Sequence, residues 1–158
     1  AGYDAKLTIA GDGEMRVTCA MARMESKHRA RIDIVGKVNQ EEGKRLRATH
    51  HIFTAHSRIG PLTRAQESFG VAFLEAMAAG LPVVTGHSGG IPELITHEKS
   101  GFLFEPGDLQ SHADYLKVLI KDADLRRKMS LSALESVRSD FSMEQEKTRL
   151  EEIISQAR

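Results

Sequence analysis

Five short β-prone runs alternate with segments of helical spacing, and that alternation limits the folds open to this chain. The runs are residues 6–11 (KLTIAG), 31–35 (RIDIV) closed by Gly36, 52–55 (IFTA), 83–85 (VVT) and 102–104 (FLF). Each is too short for a stable helix, and glycine or polar turns bound them. Between them, residues from about 14 to 25 carry helical apolar spacing, 41 to 49 suit a polar helix, and 69 to 79 read as an apolar helix. After Gly107 the pattern is helical to the end, through Tyr115, Leu116, Leu119, Ile120, Leu125, Met129, Leu134, Phe141, Met143, Leu150, Ile153 and Ile154. Strands joined through helices pair in parallel, because a parallel connection needs a crossover. The expected class is therefore α/β, a Rossmann-like doubly wound parallel sheet.

Length and charge exclude several functions. A chain of 158 residues suits one domain, so residues 1–158 are expected to form a single one. Its 22 Lys and Arg balance its 22 Asp and Glu, which gives no electrostatic reason to bind nucleic acid or an anionic membrane. The basic run Lys27-His28-Arg29-Ala30-Arg31 reads as a solvated face. No apolar run approaches the roughly 18 residues of a membrane span, and no signal peptide opens the chain. The lone Cys19 cannot form an internal disulfide and reads as a buried thiol. A cytoplasmic protein is the expectation.

The richest stretch is 67–80 (ESFGVAFLEAMAAG). Between residues 69 and 79 only Glu75 is charged, and a helix apolar all round is normally buried. A carboxylate there needs a partner. Glu67 stands eight residues earlier. Between the two, Phe69, Gly70 and Val71 should present free N–H groups at a helix start, where anions bind. A carboxylate accepts from two adjacent hydroxyls and so suits a sugar diol. A second glycine loop, 85–93 (TGHSGGIPE), follows the fourth run. Gly89 and Gly90 allow a nest of N–H groups there, and Pro92 fits a first helical turn. In doubly wound sheets such loops lie at the carboxyl edge, where ligands bind.

The Glu67–Glu75 pair within ESFGVAFLEAMAAGLPVV resembles the signature of retaining glycosyltransferases of family 4, also called group 1. SGGIPELI, SGFLFEPGD (100–108), KDADLRRKM (121–129), AGDGEM (10–15) and IVGKV (34–38) match that family in order and spacing. The resemblance covers nearly the whole chain. It implies the C-terminal, nucleotide-sugar-binding half of a GT-B fold. In that role Glu75 holds ribose hydroxyls, and Glu67, the catalytic residue, contacts the donor sugar. N–H groups around Phe69, Gly70 and Val71 bind the diphosphate, and Gly36, Lys37 and Val38 lie beside the base. Gly11, Gly89 and Gly90 complete the donor-binding set.

The same resemblance implies hexose transfer with retention of configuration, in polysaccharide or glycolipid synthesis. It implies no metal and no cofactor beyond the nucleotide-sugar donor. A first strand with a Gly-Arg turn and a downstream Lys is expected ahead of residue 1, as is an N-terminal acceptor domain. Without them this chain is expected to bind donor but not to turn it over. The first strand should then pair directly with the third, or a strand from a second copy should fill the slot and give a homodimer by strand exchange. The alternatives are a free-standing sugar-nucleotide-binding module without catalysis and a sugar-nucleotide epimerase.

Other motifs carry less. Gly11-Asp12-Gly13 lacks the third glycine of a dinucleotide fingerprint, because Arg16 stands there. Asp122-Ala123-Asp124 falls between two helices and reads as a helix cap rather than a metal pair. His50, His51 and His56 lack zinc-ligand spacing. His56 ends a strand at the ligand edge, and His87 sits in the glycine loop, where phosphate contact and simple exposure are both open.

Overall fold

In the computed structural model strands and helices alternate as the sequence implies. The structure describes residues 3–56, 70–141 and 143–156. The chain divides into two compact units, residues 1–49 and 50–158.

The first unit contains β1 (Leu7–Ala10), α1 (Arg16–Glu25), a 3-10 turn (Arg29–Arg31), β2 (Ile32–Gly36) and α2 (Gln40–Thr49). β1 and β2 pair in parallel, Leu7 opposite Ile32 and Ile9 opposite Ile34. The Arg23 side chain of α1 reaches the sheet, its Nε donating to the Ile32 carbonyl at 2.6 Å. α2 opens with a capping box. The Glu42 amide donates to Asn39 Oδ1 and the Asn39 amide to Glu42 Oε2, each at 2.9 Å. That reciprocal pair satisfies two helix-start donors. Burial in this unit is shallow. α1 has no buried residue, and Cys19, expected to be buried, is only half-buried.

The second unit contains β3 (Phe53–Thr54), α3 (Val71–Ala78), β4 (Val83–Gly86), α4 (Ile91–Leu94), β5 (Gly101–Phe104), α5 (Leu109–Lys121), α6 (Ala123–Asp140) and α7 (Met143–Gln156). Its sheet has the order β3-β4-β5, all parallel. Within the first unit β1 pairs with β2, and within the second β3 pairs with β4.

β4 lies between two strands and is buried along its length, so both faces of its sheet are covered. Val83 joins Phe73, Ala76, Met77, Ile91 and Leu94 on the side of α3 and α4. Val84 joins Phe102, Phe104, Leu119 and Met129 on the side of α5. Adjacent strand residues thus feed opposite cores. α3 stops where the sequence places its stop. Gly80 takes φ 75°, its amide donates to the Met77 carbonyl, and the Leu81 amide returns to Ala76. This is a glycine C-cap closed by a hydrophobic residue. α5 and α6 begin at Asp108 and Asp122, whose carboxylates accept from the amides two and three residues on. Asp122 therefore serves as the cap that the sequence suggests. Among the described residues no helix is long and apolar enough to cross a membrane.

Candidate functional site

Because β3, β4 and β5 run in parallel, their carboxyl ends share one edge. The chain leaves that edge after Thr54, after Gly86 and after Phe104. A crossover helix runs back against the strands, so its N-terminus faces the same edge.

Gly70 caps α3 in the left-handed conformation, φ 79° and ψ 54°, without a side-chain cap. A side chain there would strain the backbone and drive its Cβ into the Phe73 ring. The amides of Phe73 and Leu74 both donate to the Gly70 carbonyl, at 2.8 and 3.1 Å. The amides of Val71 and Ala72 precede the first intrahelical bond and point out of the helix start. With the helix dipole they make an electropositive end.

Glu75 lies one turn beyond Val71, about 6 Å along the axis. Contrary to the expectation of a buried carboxylate, Glu75 is exposed. α3 buries only Phe73, Ala76 and Met77, and leaves Val71, Ala72, Glu75 and Ala78 on an open face. The physical reason is in the side chains: that face carries two alanines, whose exposure costs little, so an apolar composition does not force burial. Val71 and Glu75, spaced i and i+4, therefore share the open face. Glu67 and Phe69 lie outside the described residues.

The second glycine loop spans 86–90. The His87 amide donates to the Phe104 carbonyl at 2.7 Å, and its side chain is exposed. Gly89 takes φ 56° and is exposed, while Gly90 precedes α4. α4 is a single turn with Pro92 in its first positions, as the sequence suggests. Ile91 and Leu94 share a core with Phe73 and Met77, which fixes α4 and α3 on one face of the sheet.

A feature the sequence signalled only faintly is a histidine pair at this edge. His56 Nε2 accepts from the Gly107 amide at 2.9 Å. The His112 ring lies 5.6 Å from the His56 ring and stacks on Phe104 at 4.6 Å. His112 Nε2 meets Thr54 Oγ1 at 2.7 Å, and that hydroxyl donates to the Val84 carbonyl. The Thr54 proton is thus committed, and His112 Nε2 is the donor. Burial first, and the neighbouring His56 second, hold the His112 pKa below the ordinary histidine value. His112 was invisible as a partner because it sits 56 positions from His56, on the first turns of α5.

In the first unit the Gly11 amide donates to the Gly36 carbonyl at 2.7 Å, which brings these two turn residues together at the carboxyl ends of β1 and β2. Lys37 is exposed and Val38 half-buried in the turn that follows. Among the described residues no group of three or more His, Cys, Asp or Glu could hold a metal ion.

Comparison with known proteins bears on the family and the fold. Residues 1–135 match the family model of glycosyl transferases group 1. The N-acetyl-alpha-D-glucosaminyl L-malate synthase of Bacillus anthracis is 37% identical over 153 residues, 97% of this chain and 36% of that protein. The amylovoran biosynthesis glycosyltransferase AmsK of Erwinia amylovora is 36% identical over 151 residues, 93% of this chain and 36% of that protein. The chain thus spans about a third of the length of these curated relatives. Among solved structures, Anabaena HepE in complex with UDP-glucose superposes with a TM-score of 0.77 at 24% identity, over 96% of this chain and 41% of that one. The fold is that of one part of a GT-B glycosyltransferase, and the chain belongs to the group 1 glycosyltransferase family.

Proposed function

We propose that this chain is the donor-binding domain of a retaining glycosyltransferase that moves a hexose from a nucleotide-diphosphate sugar to an acceptor in polysaccharide or glycolipid synthesis. One observation carries the reading. The open face of α3 presents outward-facing amides at its start and the Glu75 carboxylate one turn later. Amides at a helix start suit a diphosphate, and a carboxylate suits the two hydroxyls of a ribose. One helical turn separates the two functions, as one donor molecule requires. The solved relative named above was crystallised with UDP-glucose, which makes a uridine donor the first to try.

In this assignment the main-chain N–H groups around Gly70 and Val71 take the diphosphate and Glu75 the ribose. Gly89 and Gly90 add main-chain contacts. Glu67 acts at the donor sugar as the catalytic group, and Phe69 belongs to the same donor-binding segment. For the first unit we assign main-chain contacts from Gly11, Gly36, Lys37 and Val38 to the nucleoside. No metal or further cofactor is invoked. β1 pairs with β2, and a strand from a second copy beside β1 would give a homodimer by strand exchange. A monodisperse monomer by light scattering contradicts that dimer.

Calorimetry with UDP and GDP tests the reading. Hydrogen bonds to a charged group contribute about 1.5–3 kcal/mol, so Glu75→Ala should weaken binding by roughly ten- to a hundredfold. Binding that the substitution leaves unchanged would remove Glu75 from the site.

A further inference from the structure

Two side-chain oxygens in the second unit are buried without a hydrogen-bond partner among the described residues: Thr85 Oγ1 and Ser88 Oγ. Thr85 is fully enclosed and Ser88 is 6% exposed. Buried hydroxyls are nearly always paired, so two orphans three residues apart call for a cause. Both sit where β4 passes into the glycine loop. Strand alternation puts Thr85 on the face of Val83, the face that α3 and α4 cover.

Several main-chain acceptors near them already hold an amide. The His87 amide holds the Phe104 carbonyl, the Ile91 amide holds the Ser88 carbonyl, and the Glu93 amide holds the Gly90 carbonyl. The Gly70 carbonyl takes both Phe73 and Leu74. To a ligand this edge offers donors: two hydroxyls, and the amides of Val71 and Ala72 at the start of α3. A group that only accepts, and accepts from several donors at once, suits them. An anionic phosphate oxygen is such a group.

We infer that Thr85 and Ser88 are binding residues for the diphosphate of the donor, each hydroxyl donating to a phosphate oxygen. The inference deepens the nucleotide-sugar reading and rests on it. Both oxygens are closed off in the ligand-free chain, so capture entails a small opening of the loop. Glycines at 86, 89 and 90 permit it without moving a side chain.

The test compares wild type, Thr85→Val and Ser88→Ala, each titrated with UDP and with uridine and each melted without ligand. Valine keeps the shape of threonine and removes only the orphan. The expected result is UDP affinity about tenfold or more weaker in each variant. Uridine affinity should be unchanged, and ligand-free Thr85→Val should melt no lower than wild type. Unchanged UDP affinity in both variants, with wild type binding, overturns this inference alone. A ligand-free Thr85→Val that melts several degrees lower also overturns it, because the hydroxyl then serves the fold. A wild-type chain that binds no nucleotide overturns the underlying reading together with this one.

Discussion

Replacing Gly70 by alanine should damage the second unit through two separable effects. The first is backbone strain. At φ 79° and ψ 54° the residue is left-handed, and an L side chain there costs about 1–2 kcal/mol. The second is collision. The new Cβ would overlap the Phe73 ring. That ring is 3% exposed and meets Phe53 edge-on at 5.7 Å. Displacing it would forfeit the ring pair, worth about 0.5–1.5 kcal/mol, and would force off-rotamer packing at about 1 kcal/mol. The sum is about 3–4 kcal/mol. Urea unfolding of wild type, Gly70→Ala, Phe73→Leu and the double variant separates the two. In the Phe73→Leu background the shorter side chain can turn away, and Gly70→Ala should cost only its strain, about 1–2 kcal/mol. A coupling of about 1.5–2.5 kcal/mol between the sites is therefore expected. Additive costs would refute the collision, and a Gly70→Ala protein as stable as wild type would refute the left-handed cap as well.

Other expectations follow from the edge and the caps. The folded state holds the His112 pKa down, chiefly by burial, while the unfolded chain protonates it near the ordinary value of 6.5. The stability linked to this group is therefore full above pH 6.5 and falls as the pH drops below it. Urea midpoints measured from pH 7.5 to 5 should fall with wild type and fall less with His112→Phe, which keeps the stack on Phe104; parallel curves would contradict the assignment. Asp122→Ala removes an acceptor from the amides of Asp124 and Leu125 at the start of α6. It should cost about 1 kcal/mol in the same unfolding assay, and no loss would mean water replaces the cap.

Much of the fold could be read from spacing, because glycines end its strands and polar caps start its helices. Gly80 and Pro82 marked the end of α3, and Asp122 marked the joint between α5 and α6. Parallel pairing followed from alternation alone. Burial was harder to read. The run from Phe69 to Ala79 is almost wholly apolar, yet half of α3 is open, because alanine counts as apolar while carrying too little surface to demand a core. Glu75 is the one charge in that run, and its exposure leaves the carboxylate on the open face of α3. The capping box is legible in the letters, Asn39 and Glu42 standing three apart where the polar helix α2 begins. His112 and the orphan hydroxyls of Thr85 and Ser88 could not have been found by spacing. Their significance comes from the crossover that brings the ends of β3, β4 and β5 to one edge.

A ligand seated at that edge would shift the amides that line it, and an amide chemical-shift titration with UDP and GDP reads its place directly. Saturable shifts concentrated at Gly70, Val71, Ala72 and the loop from Gly86 to Gly90, and diminished in Glu75→Ala, are the predicted result. Shifts confined to residues far from these two loops, or none at millimolar nucleotide, would contradict the claim that α3 and the glycine loop bind a nucleotide-sugar.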